Sequence, residues 1–176
     1  MSLEIDVSVA AGPWWEELPQ AEDMARRAAQ SAYDHAATKA ANHAPLGKAA
    51  EAALVLADDA FIRRLNRDYR ARDEATNVLS FAALDGEAVI QNADAGAPVL
   101  LGDMIVAFET VAREAEAQGK SVRDHFSHLV VHAMLHLLGY DHETGAQAES
   151  MEEMEILILS GLGIADPYAE EEETIR

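Results

Sequence analysis

Cysteine is absent from the 176-residue sequence, which excludes disulfides, thiolate nucleophiles and Cys-type zinc knuckles together and fits a reducing compartment. No apolar run approaches the roughly 20 residues needed to cross a bilayer. The opening Met1-Ser2-Leu3-Glu4-Ile5-Asp6 lacks the basic-then-apolar order of a secretory signal. These absences predict a soluble, cytoplasmic protein with no membrane partner. Basic residues are scarce as well: 13 Lys and Arg stand against 32 Asp and Glu, a formal charge of −19.

That charge argues against a polyanionic partner until its distribution is considered. Arg63, Arg64, Arg67, Arg70 and Arg72 crowd into ten residues with one acid, Asp68, so this stretch carries +4 and the rest of the chain −23. A local basic patch can receive a phosphate backbone while the acidic remainder limits indiscriminate binding. The same arginines also suit the solvated face of a helix.

Leu3, Ile5, Val7 and Val9 alternate with polar residues, the period of a half-buried strand ended by Gly12-Pro13. An Ala-rich stretch from about Gln20 to Asn42 predicts a helix, and Ala52 to Ala57 a short strand. Asp58 is placed to cap a helix in which Phe61, Leu65 and Tyr69 share one face and the arginines take the other. Thr76–Phe81 and Gly102–Ala107 read as two more strands, separated by a surface loop over 83–98. A helix to about Gln118 ends at Gly119; Ser121 and Asp124 resemble a capping box opening another, which Gly139 ends after Leu138. The last helix covers roughly Ala146 to Leu162, with Met151 and Met154 at core spacing. No repeat or internal boundary is evident, so 1–176 reads as one domain with an acidic tail from about residue 169. Strands and helices mix without strict alternation, predicting an α+β fold.

Five of the seven histidines fall between His125 and His142. His132 and His136, four apart, project from one helix face, and a chain reversal at Gly139 returns His142 toward the same point. Three neutral imidazoles with one open position describe a catalytic zinc site, one Zn2+ per chain. The spacing equals that of the zinc-protease pattern H-E-x-x-H-x-x-G-x-x-H, but Ala133 stands where the protease's general-base Glu belongs, which removes the proton acceptor for peptide hydrolysis. His125 and His128 share much the same stripe; each either orients a ligand or relays a proton, or is simply a hydrogen-bonded helix histidine. Asp141, beside a ligand, either supports it or serves the turn.

The stretch His132-Ala133-Met134-Leu135-His136-Leu137-Leu138-Gly139-Tyr140-Asp141-His142 resembles the signature H-G-x-L-H-L-x-G-Y-D-H of the YbeY family of rRNA-maturation endoribonucleases. Leu65-Asn66, Tyr69-Arg70 and Thr76 to Phe81 resemble a second block, Leu101-Gly102-Asp103 a third, and Asp166-Pro167-Tyr168 the C-terminal end. Ala133 replaces a usual Gly, and Ala75 and Ala82 stand where Pro is common; these small changes spare the ligands. The resemblance implies a zincin-like α+β fold with a mixed four-stranded sheet packed by helices. It implies metal-dependent, single-strand-specific endoribonuclease activity in small-subunit rRNA 3′-end maturation and ribosome quality control. The small ribosomal subunit, a small-subunit ribosomal protein and an assembly GTPase are the partners it suggests. Arg70 corresponds to the family's functional arginine and falls inside the basic patch.

On this reading His132 and Arg70 are catalytic, with Arg70 gripping the phosphate. Arg63, Arg64, Arg67 and Arg72 are candidates to track the flanking RNA backbone, and His128 and Asp141 to support the ligands. Two other readings are a zinc hydrolase of another substrate class and a non-catalytic ribosome-assembly factor with a structural metal.

Overall fold

The computed structural model describes residues 3–39, 49–83 and 98–169. The chain builds β1 (Leu3–Val9), α1 (Trp14–Glu17), α2 (Ala21–Lys39), β2 (Ala50–Ala57), α3 (Asp59–Arg70), β3 (Val78–Ala82), β4 (Val99–Ala107), α4 (Phe108–Ala117), α5 (Val122–Leu137) and α6 (Gly145–Gly161). The sheet order is β1-β2-β4-β3. β1, β2 and β4 run parallel, and β3 joins β4 antiparallel at the edge. The fold is therefore α+β around a mixed four-stranded sheet, as expected. The predicted loop over 83–98 and the acidic tail lie almost entirely outside the described residues, as do the last residues of the expected first helix.

Alternation along the strands divides the interior. Met104 and Val106 of β4 enter the larger core, with Leu54 and Leu56 of β2, while Ile105 and Ala107 meet Ile62 and Leu79 in a smaller cluster under α3. α5 is the central helix. Phe126, Val130, Val131, Ala133, Met134 and Leu135 are fully buried, so it is enclosed on nearly every side. Ala25, Ala28, Ala29 and Ala32 give α2 a small-residue face in the same core.

Several elements differ from expectation. β4 begins at Val99 rather than Gly102, because Gly102 sits inside the strand (φ +139°) beside a register shift between β2 and β4. A Cβ on Gly102 would lie 2.1 Å from the Phe81 carbonyl oxygen. Glycine here permits close approach of β3, not strand termination. The capping box lies elsewhere: Ser121 accepts from the Asp124 amide without the reciprocal bond, whereas Thr144 and Gln147 complete both halves at α6. α1 was not anticipated. It is one turn pinned by Trp14, whose indole donates to the Ala57 carbonyl at 3.0 Å and packs edge-on against Phe108.

On α3, Asp58 caps as predicted, accepting from the Phe61 amide at 2.8 Å. The buried stripe, however, is Ile62 and Asn66, with Phe61 and Leu65 flanking it and Tyr69 71 % exposed. Tyr69 lies at the surface, its ring edge-on to Phe81 with centroids 5.7 Å apart.

Candidate metal centre and cleft

α5 ends by satisfying its own carbonyls. Gly139 takes φ +97°; its amide donates to the His136 carbonyl, and the Tyr140 amide donates to that of Leu135. This is the Schellman arrangement, and it needs the left-handed residue that glycine supplies. The reversal carries the Tyr140 carbonyl back to His136, whose Nδ1–H donates to it at 3.0 Å. It also delivers His142, whose ring centroid lies 5.0 Å from that of His136 and 5.7 Å from that of His132. Asp141 accepts from the His142 amide at 2.7 Å, so it shapes the turn.

His132 is held by a residue that the sequence reading passed over. Glu155 of α6, 1 % exposed, accepts from His132 Nδ1 at 2.5 Å through Oε1. Its Oε2 takes bonds from Tyr168 Oη and His128 Nε2. Burial alone would push the Glu155 carboxyl upward, but hydrogen bonds from His128, His132 and the Tyr168 hydroxyl outweigh it and hold the group below the ordinary carboxylate range. Burial first, then the neighbouring His132 and His142, keeps the His136 ring below the ordinary imidazole value, so it is neutral and able to coordinate.

These partners settle the tautomers. With Nδ1–H of His132 committed to Glu155 and that of His136 to Tyr140, both Nε2 atoms present lone pairs, 3.0 Å apart. Two acceptors facing each other repel unless a cation lies between them. Tetrahedral ligation at about 2.0–2.1 Å per bond separates two nitrogens by about 3.3 Å. One nitrogen from each of the three histidines falls within 4.8 Å of the others. The donor set therefore fits a divalent ion with an open side, and Glu155 supplies the outer carboxylate that orients such a ligand.

The triad lies in a cleft of about 1100 Å³. Its walls are α5, presenting His125, His128, His132 and His136, and β3, presenting Val78, Ser80 and Ala82. The Ser80 hydroxyl reaches the Ala133 carbonyl at 3.5 Å, which aligns the two walls beside His132. Ala133, where a protease would carry its base, is fully buried. Glu155 does not replace that base, because it meets the His132 ring on the side away from Nε2.

Of the five patch arginines only Arg70 lines the cleft. It closes α3, reaches the Ser80 carbonyl at 3.5 Å and stacks its guanidinium 5.9 Å from the Phe81 ring centre. The buried Asn66 amide donates to the Glu74 carbonyl and pins the loop that follows. Arg63 is forked onto Asp73, Arg67 pairs with Asp68, and Arg64 lies over Phe61. These three and Arg72 are not brought to the cleft. Lys120, Glu114, Asn77 and Tyr168 do line it; Asn77 and Tyr168 fell inside the motif blocks, but none of the four was given a site role from sequence.

The family model described as Endoribonuclease YbeY matches residues 16–163. An Endoribonuclease YbeY of Paramagnetospirillum magneticum is 49 % identical over 97 % of this chain and 99 % of its own. The chain belongs to the YbeY family. A second relative of that name, from Rhodospirillum rubrum, is 46 % identical over 96 % of this chain and 82 % of its own. The solution structure of TM1509 from Thermotoga maritima shares the fold, with a TM-score of 0.57 at 19 % identity, covering 97 % of this chain and 93 % of that one. The span matched to the YbeY model contains Arg70, the three histidines and Glu155, so the whole metal-side constellation lies inside it. Among the described residues, no helix is long and apolar enough to cross a membrane.

Proposed function

We propose that this chain is a zinc-dependent endoribonuclease that cuts single-stranded RNA, acting in 3′-end maturation of small-subunit rRNA and in ribosome quality control. The observation that carries the reading is the convergence of three imidazoles, two of them oriented by hydrogen bonds, in a cleft that also holds an arginine with no carboxylate partner among the described residues. Zinc, held by His132, His136 and His142, supplies Lewis acidity toward a phosphodiester oxygen when bound. Glu155 keeps His132 in the ligating tautomer, and the Tyr140 carbonyl does the same for His136. Arg70 binds the scissile phosphate and offsets the charge that develops on its oxygens. Arg63, Arg64, Arg67 and Arg72, lying outside the cleft, serve at most the flanking backbone. The partners are rRNA and the small ribosomal subunit, with a small-subunit ribosomal protein and an assembly GTPase, in the cytoplasm.

The test is metal analysis of the purified chain together with cleavage of a precursor-rRNA fragment, comparing wild type with His136→Ala. Wild type should carry about one zinc and cut, and the variant should do neither while remaining folded. Equal cleavage by a folded, metal-free His136→Ala protein would reject the reading. Stability lost on chelation, with no turnover on any RNA, would favour a structural metal.

A further inference from the structure

At the far end of the cleft from the histidine triad lies a second polar cluster on which the mechanism above makes no demand. Glu114 Oε1 accepts from Asn77 Nδ2 and from His125 Nε2, each at 3.0 Å. Asn77 is itself fixed, its Oδ1 accepting from the Val78 amide at 2.7 Å. His125 is almost wholly buried, and burial, outweighing Glu114, lowers its proton affinity, so it stands as a neutral donor. Its Nδ1 is buried without a hydrogen-bond partner among the described residues. The Glu114 side chain remains 35 % exposed, and its Oε2 takes no hydrogen bond among the described residues. Glu114, Gln118 and Lys120 face the same cleft as the triad.

The two walls give concordant distances. Asn77 directly precedes β3 and lies three residues from Ser80, a span of up to about 10 Å. On α5, His125 and Ala133 are eight apart, about 12 Å along a helix. Ser80 touches Ala133 beside the metal ligands, and Asn77 joins His125 through Glu114. The carboxylate is thus set about 10 Å from the site where Arg70 and the triad meet a phosphate, a span suited to the base edge of an adjoining nucleotide. A carboxylate repels the phosphate backbone, so what it can accept from RNA is a base N–H or a ribose 2′-OH, and only the base N–H makes cleavage depend on which base is present.

Resting on the nuclease reading, we propose that Glu114, immobilised by Asn77 and His125, is a specificity-determining residue whose Oε2 accepts a hydrogen bond from a nucleobase next to the cleaved phosphate. Cytosine and adenine present an amino group there, and guanine an imino and an amino group. Uracil offers one N–H between two carbonyl oxygens that the carboxylate repels. Cleavage is therefore disfavoured with uracil at one position flanking the cut.

The experiment uses short single-stranded RNAs that differ only in the base at each position flanking one cut site, in two arms. The first compares cleavage rates for wild type and Glu114→Gln. The second measures binding of the same RNAs to a His132→Ala protein that does not cut. Wild type should prefer an amino-bearing base over uracil by about tenfold at one position, the lower range for a hydrogen bond to a charged group. Glu114→Gln, checked for an unchanged melting profile, should reduce that ratio below about threefold. Equal wild-type rates for all four bases at every flanking position, or an unchanged ratio in a folded Glu114→Gln protein, overturns the proposal and leaves the nuclease reading intact. Base-selective binding to His132→Ala with no cleavage by wild type supports the subsite while rejecting the nuclease assignment. If Glu114→Gln does not fold, the wild-type base ratio alone decides.

Discussion

Replacing Glu155 tests whether the buried carboxylate holds the metal ligands or merely fills space. In Glu155→Gln the amide is isosteric but offers one acceptor where the carboxylate offered two. If its oxygen stays with His132, its NH2 turns toward the Tyr168 oxygen, which has lone pairs to receive it, and toward His128 Nε2, which receives it only by moving its proton to Nδ1. If it flips, the NH2 confronts His132 Nδ1–H and drives that ring toward the tautomer whose Nε2 bears hydrogen and cannot ligate. Changing the outer partner of a metal ligand weakens affinity about 10- to 100-fold, or roughly 1.4 to 2.7 kcal/mol. Glu155→Ala goes further, leaving the His132, His128 and Tyr168 groups unpartnered around a cavity. We expect it to lose on the order of 2–5 kcal/mol of stability, from the buried polar groups left unpaired and the cavity beside them. Zinc affinity would be measured by competition with a chromophoric chelator, and the His132 tautomer by ring 15N chemical shifts. A purely space-filling residue would leave both unchanged in Glu155→Gln. Zinc affinity within twofold of wild type, with Nδ1 still protonated on His132, would refute the argument.

Arg70→Lys keeps the charge but loses the planar fork, and Arg70→Ala loses both; RNA cleavage should fall more in the second, by about 10²- to 10³-fold, with the melting temperature held. Undiminished turnover in Arg70→Ala would remove it from the mechanism. Gly102→Ala places a Cβ 2.1 Å from the Phe81 carbonyl oxygen at φ +139°, so urea unfolding should show a loss on the order of 2–4 kcal/mol, with reduced cleavage because β3 carries Ser80. Asp59 joins α3 to α4 through Thr110 and Arg113. Burial favours its neutral acid, but the hydrogen bonds from Thr110 and Arg113 prevail and lower it below the ordinary 3.8. A depressed carboxyl stabilises the fold above the unfolded-state value and ceases to do so as pH falls through its folded value. The stability difference between wild type and Asp59→Asn, followed by urea unfolding, should therefore be constant near neutral pH and shrink on acidification; a difference that grows in acid would contradict this.

What the amino-acid sequence determined by itself was whatever depends on neighbours along the chain. The His132–His136 pair follows from helical period, the return of His142 from one glycine, the start of α3 from Asp58, and β1 from strict alternation; each is decided within a few residues. The missing protease base at Ala133 was equally local. Glu155 had a faint signal, an acid on the same stripe as Met151, Met154, Ile158 and Leu159, but its meaning appears only when α6 packs on α5 and puts it against a ring 23 residues away. By charge and spacing alone five arginines within ten residues were indistinguishable, and only the family resemblance marked Arg70. The end of α3 and the edge of β3 single out Arg70, while Asp73 and Asp68 claim two of its neighbours. Tyr69 continued an apolar period yet lies at the surface against Phe81, and Gly102 looked like a boundary because its reason lies on another strand. Periodicity and turn chemistry are short-range, whereas the shape and charge of the cleft arise where β3, α4, α5 and the C-terminal segment converge, and only tertiary packing brings them together.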